Sequence, residues 1–459
     1  MKLKNVSRFL LFAFSVMFIA SSCVKEGPMG LTGDTGAAGK DGTNGKDANE
    51  TCKICHTPAK VDIIATQFVF SKHSSGEAAI SESGNTGCSP CHAQEAFQWV
   101  VANKTPATFT LNPTTNKYVN DYFVGDNSAT YGEIGCATCH SALHTTFGSA
   151  DLAFTTVAPV PMTMWGGKKT IDLPADGHKS NLCVKCHQPR PFTNALTGNV
   201  LDYVALATTT GVVYDGNPNG TTNIIKPSYR THTHYGAIGA VYAGMGGVEF
   251  PGTLPYTNST HTTVASCSDC HMGTMAGKSG GHTFSALGKF DGCNVTGCHS
   301  TAITSANTTY WTNPRTEIKT LLATLSTKLT VGGVEILNRN PVSSENFYLN
   351  IEGKPTLIGM NLWAGVTANN YDGYLNIYDP ITNPGAQTYN ASSFRFVGTP
   401  PATWSAAQIA YNATLPILTL SYAQMGALIN FQLCLRDYSL GIHNFAYTKA
   451  LLTNSIAKL

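Results

Sequence analysis

Apolar residues recur at helical spacing mainly in the last third of the chain. In the segment NPRTEIKTLLATLSTKL (313–329) one face is apolar, and Asn313 followed by Pro314 is typical of a helix start. The apolar face consists of Ile318, Leu321, Leu322, Leu325 and Leu329. The pattern therefore predicts an amphipathic helix that is capped by Asn313.

Two further helices are predicted near the C-terminus. Segments 421–435 and 444–459 also place apolar residues three and four positions apart, and His443 lies at the junction between them. The apolar stripe of the second helix consists of Leu451, Leu452 and Ile456.

The rest of the chain is less regular. Residues 331–402 contain β-leaning runs, FYLNI and SSFRFVG among them, which Gly, Pro and Asn interrupt. Residues 50–300 have weak periodicity and many Gly, Thr, Asn and Pro residues, which predicts short helices and long loops. The expected fold class is mainly α with much irregular chain and a small β-like insertion near the C-terminus.

The N-terminus carries a short apolar run with the features of an export signal. Lys2, Lys4 and Arg8 precede or border the apolar residues 9–20, and small residues lead to Cys23. This resembles a bacterial lipoprotein signal spanning 1–22, with Cys23 carrying the lipid. An uncleaved anchor is the alternative, although twelve apolar residues are few for a membrane span. We therefore expect an exported outer-membrane lipoprotein on the cell surface or the periplasmic face.

Glycine occupies every third position from 27 to 45. This is the collagen rule, but the run is short and holds a single proline. Residues 23–49 are interpreted as a lipidated cysteine plus a collagen-like spacer, with a triple-helical stalk as the alternative.

Composition narrows the possible partners. Charged residues make up only 12% of the 459 positions and the net charge is +2, so no basic surface for nucleic acid is indicated. A mean hydropathy of −0.05 excludes a polytopic membrane protein.

The strongest chemical signal is a repeated C-x-x-C-H string, which is the attachment signature of a c-type haem. Two thiols bind the porphyrin covalently, and the adjacent imidazole supplies the proximal ligand of the iron. CKICH, CSPCH, CATCH, CVKCH and CSDCH are regular copies, and CNVTGCH is a copy with a longer spacer. The predicted attachment cysteines are Cys52, Cys55, Cys88, Cys91, Cys136, Cys139, Cys183, Cys186, Cys267, Cys270, Cys293 and Cys298. The predicted proximal ligands are His56, His92, His140, His187, His271 and His299.

Paired cysteines also occur in two other kinds of site. A disulfide framework is common in exported proteins, and structural zinc is common for C-x-x-C pairs. Neither explains why a histidine follows every pair. Of the two cysteines outside the pairs, Cys23 is expected to carry lipid, and Cys434 falls in an apolar helical stretch as a small buried residue.

Eight histidines lie outside the motifs, and six would close the remaining position of every iron. They are His73, His144, His178, His232, His234, His261, His282 and His443. His144 would serve a neighbouring haem, and the glycines before His282 would let the backbone approach a porphyrin. Only one of His232 and His234 is expected to bind, and His178 is interpreted as a solvated loop residue. Met272 and Met275 are alternative ligands, and Lys185 and Arg190 could offset the charge of haem propionates.

Several segments resemble exported multihaem c-type cytochromes. SNLCVKCHQPR, HYGAIGAVYAGMGG, CSDCHM with GGHTF, and RDYSLGIHNFAYTKALLTNSI carry the likeness, and the last is similar to the terminal helix pair of ammonia-forming nitrite reductases and their relatives. The resemblance covers roughly 50–310 and 403–459, so that 331–402 looks like an insertion. It implies His234, His282 and His443 as distal ligands, with His73, His144 and His261 completing the set.

The expected organisation is a hexahaem-binding region at 50–300 and a C-terminal helical region at 301–459 that donates a distal histidine. The favoured function is a membrane-tethered electron carrier with bis-His haems, whose partners are redox proteins or an external acceptor. The nitrite reductases replace one motif histidine by lysine, and no C-x-x-C-K occurs here, so no catalytic residue is predicted. The alternatives are a reductase of a small nitrogen or sulfur oxyanion at one open iron, and a filament whose subunits share ligands.

Overall fold

A computed structural model describes most of the chain after residue 57. The described residues are 58–75, 82, 88–102, 109–112, 117–120, 133–146, 149–162, 165–299, 301–340, 346–351, 354–361, 370–381 and 393–459. The predicted signal, Cys23, the glycine-rich spacer and the first motif (Cys52, Cys55 and His56) lie outside them. From Thr51 onward the chain forms one unit.

Most of the helices are short. They are α1 (Ile63–Val69), α2 (Lys72–Ser75), α3 (Ser89–His92), α4 (Gln94–Ala102), α5 (Cys136–Cys139), α6 (Asn181–Val184), α7 (Tyr203–Thr208), α8 (Ile238–Tyr242), α9 (His261–Val264), α10 (Cys267–His271), α11 (Asn313–Lys328), α12 (Ala406–Thr414), α13 (Tyr422–Arg436) and α14 (Phe445–Lys458). Single turns of π-helix at Pro58–Asp62 and Thr308–Thr312 and of 3₁₀-helix at Ser149–Leu152 and Gly281–Thr283 accompany them. The expected class, mainly α with much irregular chain, is confirmed.

The strands form small antiparallel sheets. They are β1 (Phe109–Asn112), β2 (Lys117–Asn120), β3 (Val160–Pro161), β4 (Thr170–Ile171), β5 (Val212–Tyr214), β6 (Thr330–Val331), β7 (Val334–Glu335), β8 (Leu337–Asn340), β9 (Asn346–Ile351), β10 (Lys354–Asn361), β11 (Asn370–Leu375) and β12 (Leu420–Ser421). The largest sheet has the order β8-β11-β10-β9. The expected β-like region near the C-terminus is therefore a four-stranded sheet, and FYLNI lies in β9. In SSFRFVG the described residues 393–398 form no strand, and Phe394 makes an isolated bridge with Ile377.

The three long helices lie where their sequences predict them, with one correction at a cap. Asn313 does not cap α11. The helical chain begins one turn earlier, where the Asn307 side chain accepts a hydrogen bond from the Tyr310 N–H at 2.8 Å. In α13 and α14 the caps are Ser421 and Asn444, whose side chains accept from backbone N–H groups of the first turn.

The apolar core contains residues from both sides of position 300 in the sequence. Ile318, Leu322 and Leu325 of α11 are fully buried, as is most of α13. The side chain of Phe250 packs so closely on Gly426 of α13 that a Cβ there would lie 2.6 Å from its ring. Segments before residue 300 therefore share one core with the C-terminal helices. In the part of the chain that the structure describes, no helix is long and apolar enough to cross a membrane.

Candidate functional site

Each regular motif within the described residues folds as a single helical turn. In three of them the histidine N–H donates to the carbonyl of the first cysteine, four residues back, at 3.0–3.1 Å. These bonds are His92 to Cys88, His140 to Cys136 and His187 to Cys183. Positions i, i+3 and i+4 share one face of a helix, so the turn presents two thiols and an imidazole together.

The fifth and sixth motifs differ in how the turn is held. In α10 the Ser266 hydroxyl accepts from the Asp269 N–H at 3.2 Å, and the Asp269 carboxylate accepts from the Ser266 N–H at 2.8 Å. This capping box fixes the turn that carries Cys267, Cys270 and His271. The sixth motif, with its longer spacer, forms consecutive turns instead of a helix.

The described motif cysteines are all free thiols. Burial raises the pKa of Cys139 to about 11 and that of Cys270 to about 11, which keeps these thiols protonated near neutral pH. Zinc binds the thiolate and needs four ligands. Among the described residues no group of three or more His, Cys, Asp or Glu side chains could hold a metal ion. Cys267 differs from Cys139 and Cys270, because the neighbouring Cys183 lowers its pKa to about 7.

Four motif histidines each face one spare histidine. The ring centroids are 6.0 Å apart for His187 and His73, 6.3 Å for His92 and His234, 6.0 Å for His299 and His261, and 6.1 Å for His271 and His443. In every pair one member belongs to a motif and the other to the predicted distal set.

These separations fit two imidazoles that share one metal. A histidine nitrogen lies about 2 Å from the metal that it binds, so two rings on opposite sides of one ion have centroids roughly 6 Å apart. A porphyrin supplies four ligands of its iron, and the protein therefore needs to supply only two. Pairs of histidines, and not larger clusters, are the pattern that such a group requires.

A fifth motif histidine, His140, lies near His282. Burial lowers the pKa of His282, and the charge of His140 lowers it further. The first motif histidine, His56, lies outside the described residues. His144 is exposed and has a positive φ of 63°.

In several of these histidines a backbone carbonyl lies within hydrogen-bond distance of Nδ1. The Nδ1 of His140 and of His271 lie 2.9 Å from the carbonyls of Leu152 and Phe284. In the distal set, the Nδ1 of His234 lies 2.9 Å from the Tyr235 carbonyl, and that of His261 lies 3.3 Å from the Ile442 carbonyl. An N–H at Nδ1 leaves Nε2 unprotonated and available to a metal.

Burial keeps several of these rings neutral. It lowers the pKa of His187 to about 4, with the charge of His73 as the next cause, and it lowers the pKa of His234 to about 3, with Arg190 as the next. Neutral imidazole is the form that binds a metal.

His443 is the exception, because its Nδ1 donates to a carboxylate. Asp437 Oδ1 lies 2.6 Å from His443 Nδ1; the carboxylate is buried and the histidine side chain is 18% exposed. Burial disfavours the charged ring, but the Asp437 carboxylate outweighs burial and raises the pKa of His443. A carboxylate in this position makes the imidazole more basic, and hence a stronger electron-pair donor to a metal.

His232 has a supporting part that its sequence does not reveal. Its Nδ1 accepts from the His234 N–H at 3.0 Å, and His234 has a positive φ of 77°. Burial lowers the pKa of His232 well below its ordinary value, followed in effect by Arg436. A neutral His232 therefore holds the uncommon backbone conformation that directs His234 at His92. This agrees with the expectation that only one of the two binds a metal.

The remaining sequence expectations differ in outcome. His178 is a half-exposed loop residue bonded to Asp172 at 2.6 Å, as expected. The glycines before His282 meet protein atoms, because a Cβ on Gly281 would lie 2.3 Å from Gln67 Oε1 and one on Gly280 would lie 2.6 Å from a backbone oxygen. Cys434 is buried in α13, as predicted.

The described motifs adjoin one another. The Cys91 thiol lies 3.8 Å from the carbonyl of Lys185 in the fourth motif, and the Cys267 N–H donates at 3.0 Å to the hydroxyl of Ser180, just before that motif. Charge interactions also link Cys139 to the fourth motif, and Cys270 of the fifth motif to Cys293 and Cys298 of the sixth. The fourth motif therefore lies beside the second, third and fifth, and the fifth lies beside the sixth.

Comparisons with protein-family models, with curated proteins and with solved structures found no match to this chain.

Proposed function

We propose that this chain is a membrane-tethered hexahaem c-type cytochrome that carries electrons between redox partners. The observation that carries the proposal is the pairing of motif histidines with spare histidines at 6.0–6.3 Å. Each such pair lies beside a cysteine turn, which is the combination that covalent attachment and two axial ligands require.

The haem irons would supply one-electron oxidation and reduction. The chain's own residues would hold the groups covalently, close both axial positions and keep water from them. His282 is assigned to His140, which lies close enough to lower its pKa, and His144 belongs to the distal set that the resemblance implies. Met272 and Met275 are not needed as ligands of the fifth motif, because His443 faces His271.

Electron transfer is favoured over reduction of a small oxyanion. A reductase needs an open coordination position. Four motif histidines, His92, His187, His271 and His299, instead have a second imidazole opposite them. The adjoining motifs further support a conductor, since they bring neighbouring groups together. The lipid on Cys23 and the spacer would tether the conductor at the outer membrane, facing a redox protein or an external acceptor.

The test is a count of covalent haems combined with their spin state. Mass spectrometry of the purified full-length protein should give six haems, and replacing Cys293 and Cys298 by serine should remove one. EPR of the air-oxidised protein should give six low-spin irons. Absence of covalent haem would refute the proposal, and one high-spin iron among six would favour the reductase.

A further inference from the structure

The C-terminal end of α13 holds a buried arginine for which no acidic partner is found among the described side chains. Arg436 is fully buried, and its Nη2 donates to the Asp372 carbonyl at 2.7 Å. Its Nε and Nη1 are buried without a hydrogen-bond partner. The Asp372 carboxylate is directed elsewhere, since it accepts from the Asn338 side chain and from the Tyr374 N–H.

Aromatic rings enclose the Arg436 guanidinium on its other sides. It lies 4.4 Å from the ring centroid of Tyr235 and 4.9 Å from that of Tyr374, and the two hydroxyls contact each other. Gly373 has a φ of 77°, and a Cβ there would lie 3.1 Å from Arg436 Nε. The glycine therefore permits both the turn and the close approach of the arginine.

Such a charge is costly to bury alone. A desolvated cation without a counter-charge destabilises a fold, and each unpaired buried donor adds to that cost. Cation–π contacts offset only part of it. Two free N–H groups in fork geometry suit an anion with two oxygens, of which a carboxylate is the usual partner of arginine.

The location identifies the anion. The Arg436 guanidinium lies 4.4 Å from the centroid of the Tyr235 ring, and that centroid lies 6.1 Å from the centroid of the His234 ring. The Nε of Arg190 is also buried, with no hydrogen-bond partner among the described residues. His234 faces His92, the histidine of the second motif. Arg190 Nη2 lies 3.8 Å from the Sγ of Cys88, in that same motif.

We propose that Arg436 binds a carboxylate of the porphyrin attached at Cys88 and Cys91, and that its charge raises the reduction potential of that group above what His92 and His234 alone would give. The inference rests on the proposed function. A positive charge beside an iron favours the reduced form, which carries one charge less.

The test is a spectroscopic redox titration of the full-length protein with Arg436→Gln and Arg436→Met. Both variants remove the charge, and methionine leaves no buried amide. In each, the reduction equilibrium of one haem should become at least tenfold less favourable, a fall of 59 mV for a one-electron couple. That haem is identified by its absence from the variant in which Cys88 and Cys91 are serine.

Arg339→Gln is the matched control, because the Arg339 guanidinium already pairs with the Glu335 carboxylate. It should leave the potential of the second-motif haem unchanged. If an Arg436 variant instead loses haem, loss at Cys88 and Cys91 supports the inference and loss at another motif overturns it.

Two results would overturn the inference while leaving the proposed function intact. One is a variant with six haems and unchanged potentials. The other is a wild-type potential that moves with added nitrite or sulfite and no longer does so in Arg436→Gln, since the anion would then come from solution. A wild type without covalent haem would refute the proposed function itself.

Discussion

Asp437→Asn gives the most direct test of how the chain adjusts the reduction potential at one pair of histidines, His271 and His443. The carboxylate bonds to His443 Nδ1 at 2.6 Å, and His443 faces His271 at 6.1 Å between ring centroids. Asparagine keeps the size of the side chain and removes its charge. Because a negative charge stabilises the oxidised iron, the variant should raise the reduction potential of the haem attached at Cys267 and Cys270.

The size of the effect follows from the distances. A metal midway between the rings would lie about 3 Å from the His443 centroid and roughly 7 Å from the carboxylate charge. At an effective dielectric constant near 20, a unit charge at about 7 Å contributes roughly 2 kcal/mol. This corresponds to about a thirtyfold change in the reduction equilibrium, or on the order of 90 mV for one electron.

The assay is a redox titration followed by absorbance and EPR, with the haem content of each variant measured first. Asp172→Asn is the matched control, because Asp172 also bonds a histidine Nδ1 at 2.6 Å, but on the half-exposed His178, for which no facing imidazole is found among the described residues. It should leave all potentials unchanged. A low-spin Asp437→Asn protein whose potentials equal those of the wild type would refute the reasoning.

Four other substitutions test the site and the residues that support it. His443→Ala should leave one iron high-spin without loss of covalent haem, and an entirely low-spin EPR spectrum would show that His443 is not a ligand. His234→Ala should likewise give one high-spin iron, whereas His232→Ala should keep six low-spin irons and lower the unfolding temperature, because His232 only holds the His234 backbone. Asn430→Ala should destabilise the fold by about 2 kcal/mol in denaturant titrations, since it leaves the buried N–H of Val248 unpaired, while the Val248 carbonyl keeps the bond from the Phe250 N–H; a loss below about 1 kcal/mol would contradict this.

The sequence identifies the kinds of ligand far better than their partners. A motif such as CSPCH is local, so its turn and its chemistry can be predicted from five residues. The partner of His92 is His234, which is remote in sequence and is brought near by the fold. No periodicity or spacing specifies that distance, so the pairing had to come from the structure.

The supporting residues are hidden for a different reason. Arg436 ends an apolar helix, where a cation is an ordinary partner of the helix dipole and gives no sign of burial. His232 is a second histidine beside a ligand, and only the hydrogen bond to the His234 N–H reveals its part. The prediction for the cap of α11 is also wrong. Asn313 followed by Pro314 is typical of a helix start, but a π-helical turn precedes α11, and Asn307 caps that turn.

Arg436 and Asp437 are consecutive residues, but their opposite charges act on different pairs. Arg436 lies near His234, and Asp437 bonds to His443. The intervening pair is that of His73 and His187, since His73 interacts electrostatically with both His92 and His271. With haems bound as proposed, the positive residue would make the second-motif site easier to reduce, and the negative residue would make the fifth-motif site harder to reduce. One turn of chain at the end of α13 would then produce a potential difference across three neighbouring sites. Electrons that enter at the fifth motif would settle at the second, and the double variant Arg436→Gln with Asp437→Asn should reduce that difference by more than either change alone.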